Sequence, residues 1–466
     1  MNLIGPDAGA MADLVRVHGV AVVRQTARRL DDGRWRVQAL GEAADLAALA
    51  AHGFTVEPVE DLAPAGGLAG AAAGGAAPGA GPPRPGAGPA GYMDVAEVDR
   101  RLAELAGPPY QAATELIALP HRTWERRTCR ALRIGRRGPG GDGGDGRVRP
   151  GICLLGGVHA REWGSADILV ALAERLLGAW VSGKGIAIGR RRFSAAAVRR
   201  LVEEADLYLV PQVNPDGRHH SFTVDPMWRK NRRPAPPGAP DHCVGVDLNR
   251  NFDFLWDFAT HFDPAAPVAC SSQPCDQQVY VGPGPASEPE TRNVVWLLDE
   301  RPGIGYLVDL HSYGELIMYS WGDDENQTAT PAMAFTNPDW DGRRGAPGDQ
   351  YREHIAAGDA RLLARLAARL QAGVAAARGR RYRVQQSMSL YPTAGTSDDY
   401  AYSRHLVDPA RAKVLALTVE WGAEDNPTPF HPPYDEMVQI IAEVTSGLLA
   451  FCGEARRVAA STRSRP

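Results

Sequence analysis

The sequence has little net charge, few cysteines and no long apolar run. Its 51 lysine and arginine residues against 55 aspartate and glutamate residues give a formal net charge of −4. A charge this close to balance argues against nucleic acid or an anionic membrane as a main partner. No apolar run reaches the roughly 18 residues that suggest a membrane-spanning helix, so no membrane segment is expected. Six cysteines in 466 residues are too few for a disulfide scaffold.

Lysine is almost absent as well, and we interpret this as a composition bias and not as a sign of function. The N-terminus lacks a basic region followed by an apolar run, so no secretory signal peptide is expected. Cys243, Cys270 and Cys275 share a loop-rich region in which one disulfide could form. A disulfide would instead favour a secreted protein. We give the missing signal more weight and expect a cytoplasmic location, with secretion as the alternative.

Glycine and proline are abundant instead, at 51 and 37 residues. The Ala/Gly/Pro-rich segment 62–91 has no aromatic residue and a single charge. It cannot bury a core, so we predict a flexible linker. This linker separates a small α/β unit over 1–61 from the main domain over 92–455. A disordered tail is predicted for 456–466.

Apolar strands alternate with amphipathic helices along the chain. Strands are predicted at 37–40, 54–59, 151–158, 206–211, 304–310 and 414–421, and helices at 42–51, 166–181, 288–300, 359–377 and 434–452. In the main domain this alternation predicts an α/β fold, with a mixed, mostly parallel twisted sheet and helices on both faces. Ser287 is predicted to cap the helix that begins at 288. Surface loops are predicted at 136–149, 232–240 and 323–350.

Functional groups of such a sheet gather beyond the carboxyl ends of its strands. His159 and Glu162 follow one predicted strand, His311 follows another, and Glu420 lies near the end of a third. Two histidines and a carboxylate match the ligand set of a catalytic zinc, with a fourth position for water. The HxxE pattern alone occurs often by chance. Its place after a buried strand, together with a second strand-end histidine, favours a metal site over ordinary half-buried histidines.

Arginines cluster in two nearby segments, WRKNRR (228–233) and GVDLNRNF (245–252). Arginine side chains bind carboxylates in bidentate geometry, and an Asn-Arg pair in a loop would suit a free terminal carboxylate. On its own, the first run is more typical of a solvated basic surface. Its proximity to a zinc site in a net-acidic protein favours a functional role.

Seven motifs in one order resemble the zinc metallocarboxypeptidases related to carboxypeptidase A. They are HAREW (159–163), NPDG (214–217), MWRKNR (227–232), GVDLNRNFDF (245–254), HSYGELIMYSWG (311–322), YPTAGTSDDY (391–400) and LTVEW (417–421). The resemblance covers about residues 91–454. It implies one zinc ion per chain, and hydrolysis of the last peptide bond of a peptide or peptide-like substrate with a free terminal carboxylate.

The resemblance also implies catalytic roles. His159, Glu162 and His311 would bind zinc. Glu420 would be the general base that takes a proton from the zinc-bound water and passes it to the leaving amine. Arg229 would stabilise the developing oxyanion.

Further residues would orient the site or bind the substrate. Asp247 would orient His159 from outside the metal site. The other roles concern the substrate: Asn249 and Arg250 would hold its terminal carboxylate, Arg161 and Tyr313 would line the subsites behind the scissile bond, and Tyr391 would close over the bound residue.

Asp398 falls where the family sets the floor of the pocket for the last side chain. An acidic floor would favour a terminal lysine or arginine. The equal alternative is that Asp398 is a turn or helix-cap residue.

Two other functions stay open at this stage. One is a zinc amidohydrolase acting on a dedicated small conjugate or a cell-wall peptide, and the other is an inactive binding module, against which the intact zinc ligands and base argue. A monomer is expected. The unit 1–61 resembles a prosegment but is smaller than that of the digestive enzymes. Cys243 and Cys275 fall roughly where some secreted relatives have a disulfide, and Cys270 is a further candidate partner for either.

Overall fold

A computed structural model describes residues 2–6, 10, 14, 21–30, 32–40, 48–57, 88–136, 149–346 and 350–463. Most of the predicted linker lies outside these residues, and only its last part is described, where Pro89–Gly91 form a 3-10 turn. The predicted helix at 42–51 lies outside them up to residue 47, and Ala48–His52 form a 3-10 helix. The predicted loop at 136–149 also lies largely outside them.

The N-terminal unit contains a four-stranded antiparallel sheet in the order β2-β3-β1-β4. Its strands are β1 (Asn2–Gly5), β2 (Ala21–Arg29), β3 (Trp35–Leu40) and β4 (Thr55–Glu57). A small apolar core includes Leu3, Val37, Leu49 and Phe54. The sequence pattern predicted β3 and β4 but missed β1 and β2.

The main domain is built on an eight-stranded mixed sheet in the order β15-β12-β16-β11-β7-β10-β6-β5. The strands of the domain are β5 (Thr114–Arg122), β6 (Thr128–Ile134), β7 (Gly151–Gly156), β8 (Ile186–Ile188), β9 (Arg191–Phe193), β10 (Asp206–Val210), β11 (Ile304–Ser312), β12 (Leu316–Tyr319), β13 (Asn326–Gln327), β14 (Glu353–His354), β15 (Arg383–Gln386) and β16 (Leu415–Trp421). Strands β16, β11, β7 and β10 form a parallel centre. Antiparallel pairs flank this centre on both sides. The predicted mixed sheet is confirmed.

Helices cover this sheet, since every residue of β7 is buried and both of its faces must therefore be packed. The described helices are α1 (Val95–Ala106), α2 (Gly164–Ser182), α3 (Ala195–Glu204), α4 (Pro215–Thr223), α5 (Phe258–His261), α6 (Pro289–Glu300), α7 (Ala357–Arg378), α8 (Ser397–Val407) and α9 (Tyr434–Arg463). Helix α9 packs on α7 and α2, and α8 packs on β16 and β11. The predicted α/β architecture with helices on the sheet is therefore confirmed.

Helix α9 is longer than predicted. Among the described residues it is the one helix long and apolar enough to cross a membrane, but 72% of its most apolar stretch is buried inside the protein. Burial of this kind is typical of a core helix. The predicted disordered tail is wrong for 456–463, because α9 continues to Arg463. Its last turns are held by ion pairs such as Arg456 with Glu204, 2.6 Å apart.

The predicted cap at Ser287 is also wrong. Helix α6 begins at Pro289, with Glu288 at the N-cap position and no side-chain capping bond. Proline suits the first helical position because it has no N–H that needs a partner there. The hydroxyl group of Ser287 instead donates a hydrogen bond to Glu288, 2.8 Å away.

The predicted surface loop at 323–350 is buried in part. Asp323, at its start, is fully buried and faces the carboxyl group of Glu353. We call Asp323, Glu353 and Asp399 the buried acid cluster. Burial, together with the neighbouring carboxylates, raises the pKa of Asp323 and of Asp399 well above the ordinary range. Burial also raises the pKa of Glu353 to about 7. The folded protein therefore favours protonated carboxyl groups in this cluster.

This burial predicts that the stability of the protein depends on pH and that Glu353→Gln makes this dependence weaker. A carboxyl group with a raised pKa in the folded state stabilises the fold below its unfolded pKa, and this stability is lost as the pH rises through the folded value. For Glu353 the loss should fall between about pH 4.5 and about pH 7. The midpoint of urea unfolding should therefore drop less from acidic to mildly basic pH in the variant than in the wild type.

The matched control is Glu325→Gln, because Glu325 is an exposed carboxylate of the same segment, with 65% of its side chain accessible. It should keep the wild-type pH dependence. Equal pH dependence in wild type and Glu353→Gln would contradict the prediction.

Candidate metal centre and active site

Three candidate metal ligands meet beyond the carboxyl ends of β7 and β11. Gly157 turns the chain after β7 with a φ of +64°, a conformation that favours glycine. His159 and Glu162 follow before α2 begins, and His311 lies near the end of β11. All three side chains are at most 5% exposed.

The ligand atoms are close enough for one ion. Nδ1 of His159 lies 2.7 Å from Oε1 of Glu162 and 3.0 Å from Nδ1 of His311, and the latter lies 3.0 Å from Oε2 of Glu162. Nitrogen and carboxylate ligands at this spacing fit Zn²⁺. The residues present would therefore hold a zinc ion through His159, Glu162 and His311.

The local charges favour a carboxylate at Glu162. Burial alone would raise its pKa, but His159 and His311 hold that pKa far below the ordinary value. Burial and the Arg229 guanidinium lower the pKa of His159, which favours the neutral imidazole that binds metals. For His311, the carboxylates of Asp309 and Glu162 outweigh burial and raise the pKa.

Each histidine has a carboxylate on its outer side. Oδ1 of Asp247 lies 3.2 Å from Nε2 of His159, as the sequence analysis expects. Oδ2 of Asp309 lies 3.1 Å from Nε2 of His311. Asp309 is not among the residues predicted from the sequence, although its place two residues before His311 on the same strand is a signal that both side chains share one face.

Glu420 reaches the site from the neighbouring strand. It lies directly opposite His311 in the parallel pairing of β16 with β11. The side chain lines the cavity, and its Oε2 is buried with no hydrogen-bond partner among the described residues. Burial, and then the negative charge of Glu162, raise the pKa of Glu420 to about 8. A carboxyl group with that proton affinity can both accept and release a proton near neutral pH.

A cavity of about 510 Å³, including its open mouth, brings most of the predicted residues together. They are His159, Glu162, Arg229, Asn249, Arg250, His311, Tyr391, Asp398 and Glu420. Asp247, Arg161 and Tyr313 are not among its lining residues. The metal ligands therefore share one space with Asn249, Arg250, Tyr391 and Asp398, but not with Arg161 and Tyr313.

Arg229 stands rigidly at the wall of this cavity. Its Nη2 donates to Oδ2 of Asp247 at 2.9 Å, and its Nε donates to the backbone oxygen of Gln278 at 3.1 Å. Only 6% of Arg229 is exposed, so its charge is fixed by these partners. The arrangement gives a preorganised positive group beside His159.

The NPDG motif holds the segment that carries Arg229. The side-chain nitrogen of Asn214 donates to the backbone oxygens of Val158, at 3.2 Å, and of Lys230, at 3.1 Å. The backbone N–H of Ala160 donates to the oxygen of Arg229 at 3.0 Å. These bonds join the turn after β7 to the arginine-rich segment, so Asn214 has a structural role here.

Asn249 and Arg250 lie in a short 3-10 turn (Leu248–Arg250) that Asp247 caps through the N–H of Asn249, at 3.0 Å. Nε of Arg250 donates to the backbone oxygen of Ala269 at 2.6 Å, and Tyr391 forms a hydrogen bond with Arg250. The loop residue Tyr391 is thus placed beside the guanidinium that is expected to bind a carboxylate.

Arg161 and Tyr313 both pack against the ring of Phe430. The Arg161 guanidinium lies 4.5 Å from the ring centre of Phe430, and that ring packs 4.9 Å from the ring of Tyr313. Nη1 of Arg161 donates to Oε1 of Gln278 at 2.9 Å. The expected roles of Arg161 and Tyr313 in substrate subsites stay predictions.

Gln278 was missed by the sequence analysis, and no local pattern marks it. It holds Arg161 with its side chain and Arg229 with its backbone oxygen. Three residues before it, Cys275 forms a disulfide with Cys243. Cys270 is half-buried and is not part of this disulfide.

Asp398 lies in the first turn of α8 and lines the cavity. The N-cap residue of that helix is Thr396, so Asp398 is not the helix cap. Oδ2 of Asp398 accepts hydrogen bonds from Thr418 Oγ1, at 3.0 Å, and from Ser387 Oγ, at 3.3 Å. These bonds hold a carboxylate on the cavity wall.

The geometry predicts that the protein binds about one zinc ion per chain and that His311→Ala weakens this binding strongly. Loss of one of three ligands removes a metal–ligand bond and leaves Glu162 buried beside fewer positive charges. Metal analysis after equilibrium dialysis measures the stoichiometry. His220→Ala is the control, because His220 lies on α4 and is not part of the ligand set. Stoichiometric, equally tight zinc in His311→Ala would contradict the prediction.

Solved structures of similar shape agree with the fold. Carboxypeptidase A from Helicoverpa armigera aligns over 99% of this chain and 98% of its own, with a TM-score of 0.64 and 19% identity. Sequence identity this low supports the fold alone. The similarity spans the N-terminal unit as well as the main domain.

Proteins of similar sequence include carboxypeptidases. Carboxypeptidase B from Astacus astacus is 30% identical over 315 residues, which cover 66% of this chain and 81% of the relative. Inactive metallocarboxypeptidase ECM14 from Arthroderma otae is 31% identical over 218 residues, 46% of this chain and 32% of the relative. The chain spans about half of the length, or less, of several other relatives that it matches. The relatives of this chain thus include a protein named as a carboxypeptidase and one named as an inactive metallocarboxypeptidase.

The zinc carboxypeptidase family model matches residues 109–447, which is well over half of the chain. This range contains all of the predicted site residues, including the His-Glu-His set. Zinc is accordingly the cofactor that this site is built to hold. The chain belongs to the zinc carboxypeptidase family of metalloprotease hydrolases.

Proposed function

We propose that this protein is an active carboxypeptidase that removes the C-terminal residue of a peptide, with a preference for terminal lysine or arginine. One observation carries the proposal: a single cavity joins the three metal ligands, Glu420, the Asn249-Arg250 pair and Asp398. Each of these groups could interact with one part of a peptide that has a free terminal carboxylate. The carboxylate would meet Asn249 and Arg250, and the last side chain would meet Asp398.

The reaction follows from what each side chain can do. Zinc, when bound, supplies an acidified water molecule and polarises the scissile carbonyl group. Glu420 takes the proton of the attacking water and later delivers it to the amine that leaves, so one carboxyl group serves both steps. Its pKa, raised by burial to about 8, suits this exchange.

Arg229 supplies positive charge where the carbonyl oxygen becomes negative. Its guanidinium is held by Asp247 and by the backbone of Gln278, and it needs no rearrangement during the reaction. Preorganised charge of this kind lowers the barrier more than a mobile side chain does. Tyr391 would cover the bound terminal residue, and its hydrogen bond to Arg250 supports this role.

Two alternative functions are compatible with the same site. A dedicated small conjugate or a cell-wall peptide with a free carboxylate would use Asn249 and Arg250 in the same way, and only substrate length separates it from an ordinary peptide. An inactive binding module is the remoter alternative, since one similar protein is an inactive metallocarboxypeptidase. The presence of all three ligands and of Glu420 supports catalysis.

Location and oligomeric state stay predictions. The Cys243–Cys275 disulfide supports the secreted alternative over the cytoplasm, because disulfides persist mainly in oxidising compartments. A monomer is still the expected state.

Glu420→Gln should abolish most of the peptidase activity while zinc stays bound. Glutamine keeps the size of the side chain but cannot carry the proton, and loss of general acid–base catalysis costs about 10²- to 10⁴-fold in kcat. Release of free amino acid from a short peptide measures the rate, and metal analysis confirms the zinc content. Wild-type kcat in a zinc-loaded, folded Glu420→Gln protein would exclude this role.

Asp398→Ala should change the ranking of substrates. The ratio of kcat/KM for a peptide ending in arginine to that for the same peptide ending in leucine should fall at least about tenfold, which corresponds to roughly 1.4 kcal/mol of lost charge attraction. Asp408→Asn, at the exposed C-terminal cap of the same helix, should leave the ratio unchanged. An unchanged ratio in Asp398→Ala would refute the preference but not the peptidase activity.

A further inference from the structure

The outer nitrogen of His311 faces a carboxylate that belongs to its own strand. Asp309 is fully buried, and its Oδ2 lies 3.1 Å from Nε2 of His311. Both residues lie on β11, which pairs with β16 on one side and with β7 on the other. A central strand fixes both side chains, so the distance between them has little freedom.

The same carboxylate oxygen is bound from a second element. Oγ of Ser397, the first residue of α8, donates to Oδ2 of Asp309 at 2.5 Å. The backbone N–H of Ser397 donates to Oδ1 of Asn249 at 2.8 Å. A continuous chain of contacts therefore runs from the metal ligand His311 through Asp309 and Ser397 to Asn249.

All four members of this chain are buried, with exposures from 0% for Asp309 to 8% for Asn249. Bulk water cannot replace a lost partner easily at such positions, so each contact restricts its neighbour. The arrangement links two halves of the site that are far apart in sequence.

We propose that Asp309 is a positioning residue that orients His311 for zinc and, through Ser397, couples the metal centre to Asn249. A metal-binding histidine needs an acceptor for its other N–H, and a carboxylate there fixes the ring and strengthens the ligand. Ser397 donates to the same Asp309 oxygen and also to the side chain of Asn249. The position of Asn249 therefore depends on the position of Asp309 and, through it, on that of His311. The substrate side of this inference rests on the proposed function, whereas its zinc side does not.

Zinc affinity tests the first half without any activity measurement. Competition with a chromogenic chelator should show about 10- to 100-fold weaker zinc binding in Asp309→Asn, and a larger loss in Asp309→Ala, since removal of an outer partner of a metal ligand has effects of this size. Asparagine keeps an acceptor oxygen and is the variant to use if Asp309→Ala does not fold.

The matched control is Glu290→Gln. Glu290 is another fully buried acid, and burial raises its pKa to about 8, so a neutral amide is a mild replacement. Glu290→Gln should bind zinc as the wild type does. A merely structural role of Asp309 would lower the melting temperature but leave zinc affinity at the wild-type value, and that result would overturn the proposal.

Ser397→Ala tests the coupling, with Ser403→Ala on the same helix as its control. Ser403 is equally buried, and its hydroxyl group donates a hydrogen bond to the backbone oxygen of Tyr400 in the same helix. We expect Ser397→Ala to weaken zinc binding several-fold, by less than Asp309→Asn, and to raise the KM of a peptide substrate at saturating zinc. The double variant Asp309→Asn/Ser397→Ala should bind zinc no more weakly than Asp309→Asn alone, because Ser397 acts through Asp309.

The outcomes separate the two proposals. Additive losses in the double variant, or wild-type zinc affinity and KM in Ser397→Ala, would overturn the coupling. A wild-type protein that binds zinc but releases no amino acid from any peptide would refute the proposed function, while the zinc measurements on the Asp309 variants would still decide the role of Asp309.

Discussion

The parallel pairing of β7, β11 and β16 is the constraint on which the site depends. Parallel strands end at the same edge of a sheet, so side chains that follow or end these strands converge there. His311 and Glu420 are direct partners in this pairing, and His159 follows the strand on the other side of β11. A shift of one residue in the register would turn one of these groups to the opposite face.

Convergence at this edge buries several charged groups, and each of them costs free energy unless it has a partner. Arg229 and Asp247 form one such pair, with 2.9 Å between Nη2 and Oδ2. A zinc ion held by His159, Glu162 and His311 would supply further positive charge beside Glu162. The site is therefore stable as a complete set, and its preorganisation for chemistry is a consequence of the same pairing.

The part of the cavity that contains Asn249 and Asp398 depends on a different element, helix α8. The start of α8 places Ser397 against Asn249 and Asp398 against Thr418 of β16. The proposed specificity residue Asp398 and Ser397, which bonds Asp309, thus lie side by side at one helix end. Asp399 of the buried acid cluster follows Asp398 directly in sequence, and burial raises its pKa and favours its protonated form. Asp398 instead accepts a hydrogen bond from the hydroxyl group of Thr418.

The sequence predicts the α/β class, the His-Glu-His ligand set and most of the cavity residues, because these depend on strand ends and on local motifs. It missed Gln278 and Asp309, and it misplaced the cap at Ser287 and the end of α9. Asp309 had a local signal in its place two residues before His311 on the same strand. Gln278 and the last turns of α9 depend on tertiary contacts instead. Gln278 acts through Arg161 and Arg229, which are distant in the chain, and an ion pair joins Arg456 of α9 to Glu204 of α3. Contacts between remote segments leave no period or motif in a single sequence, so only the folded chain reveals them.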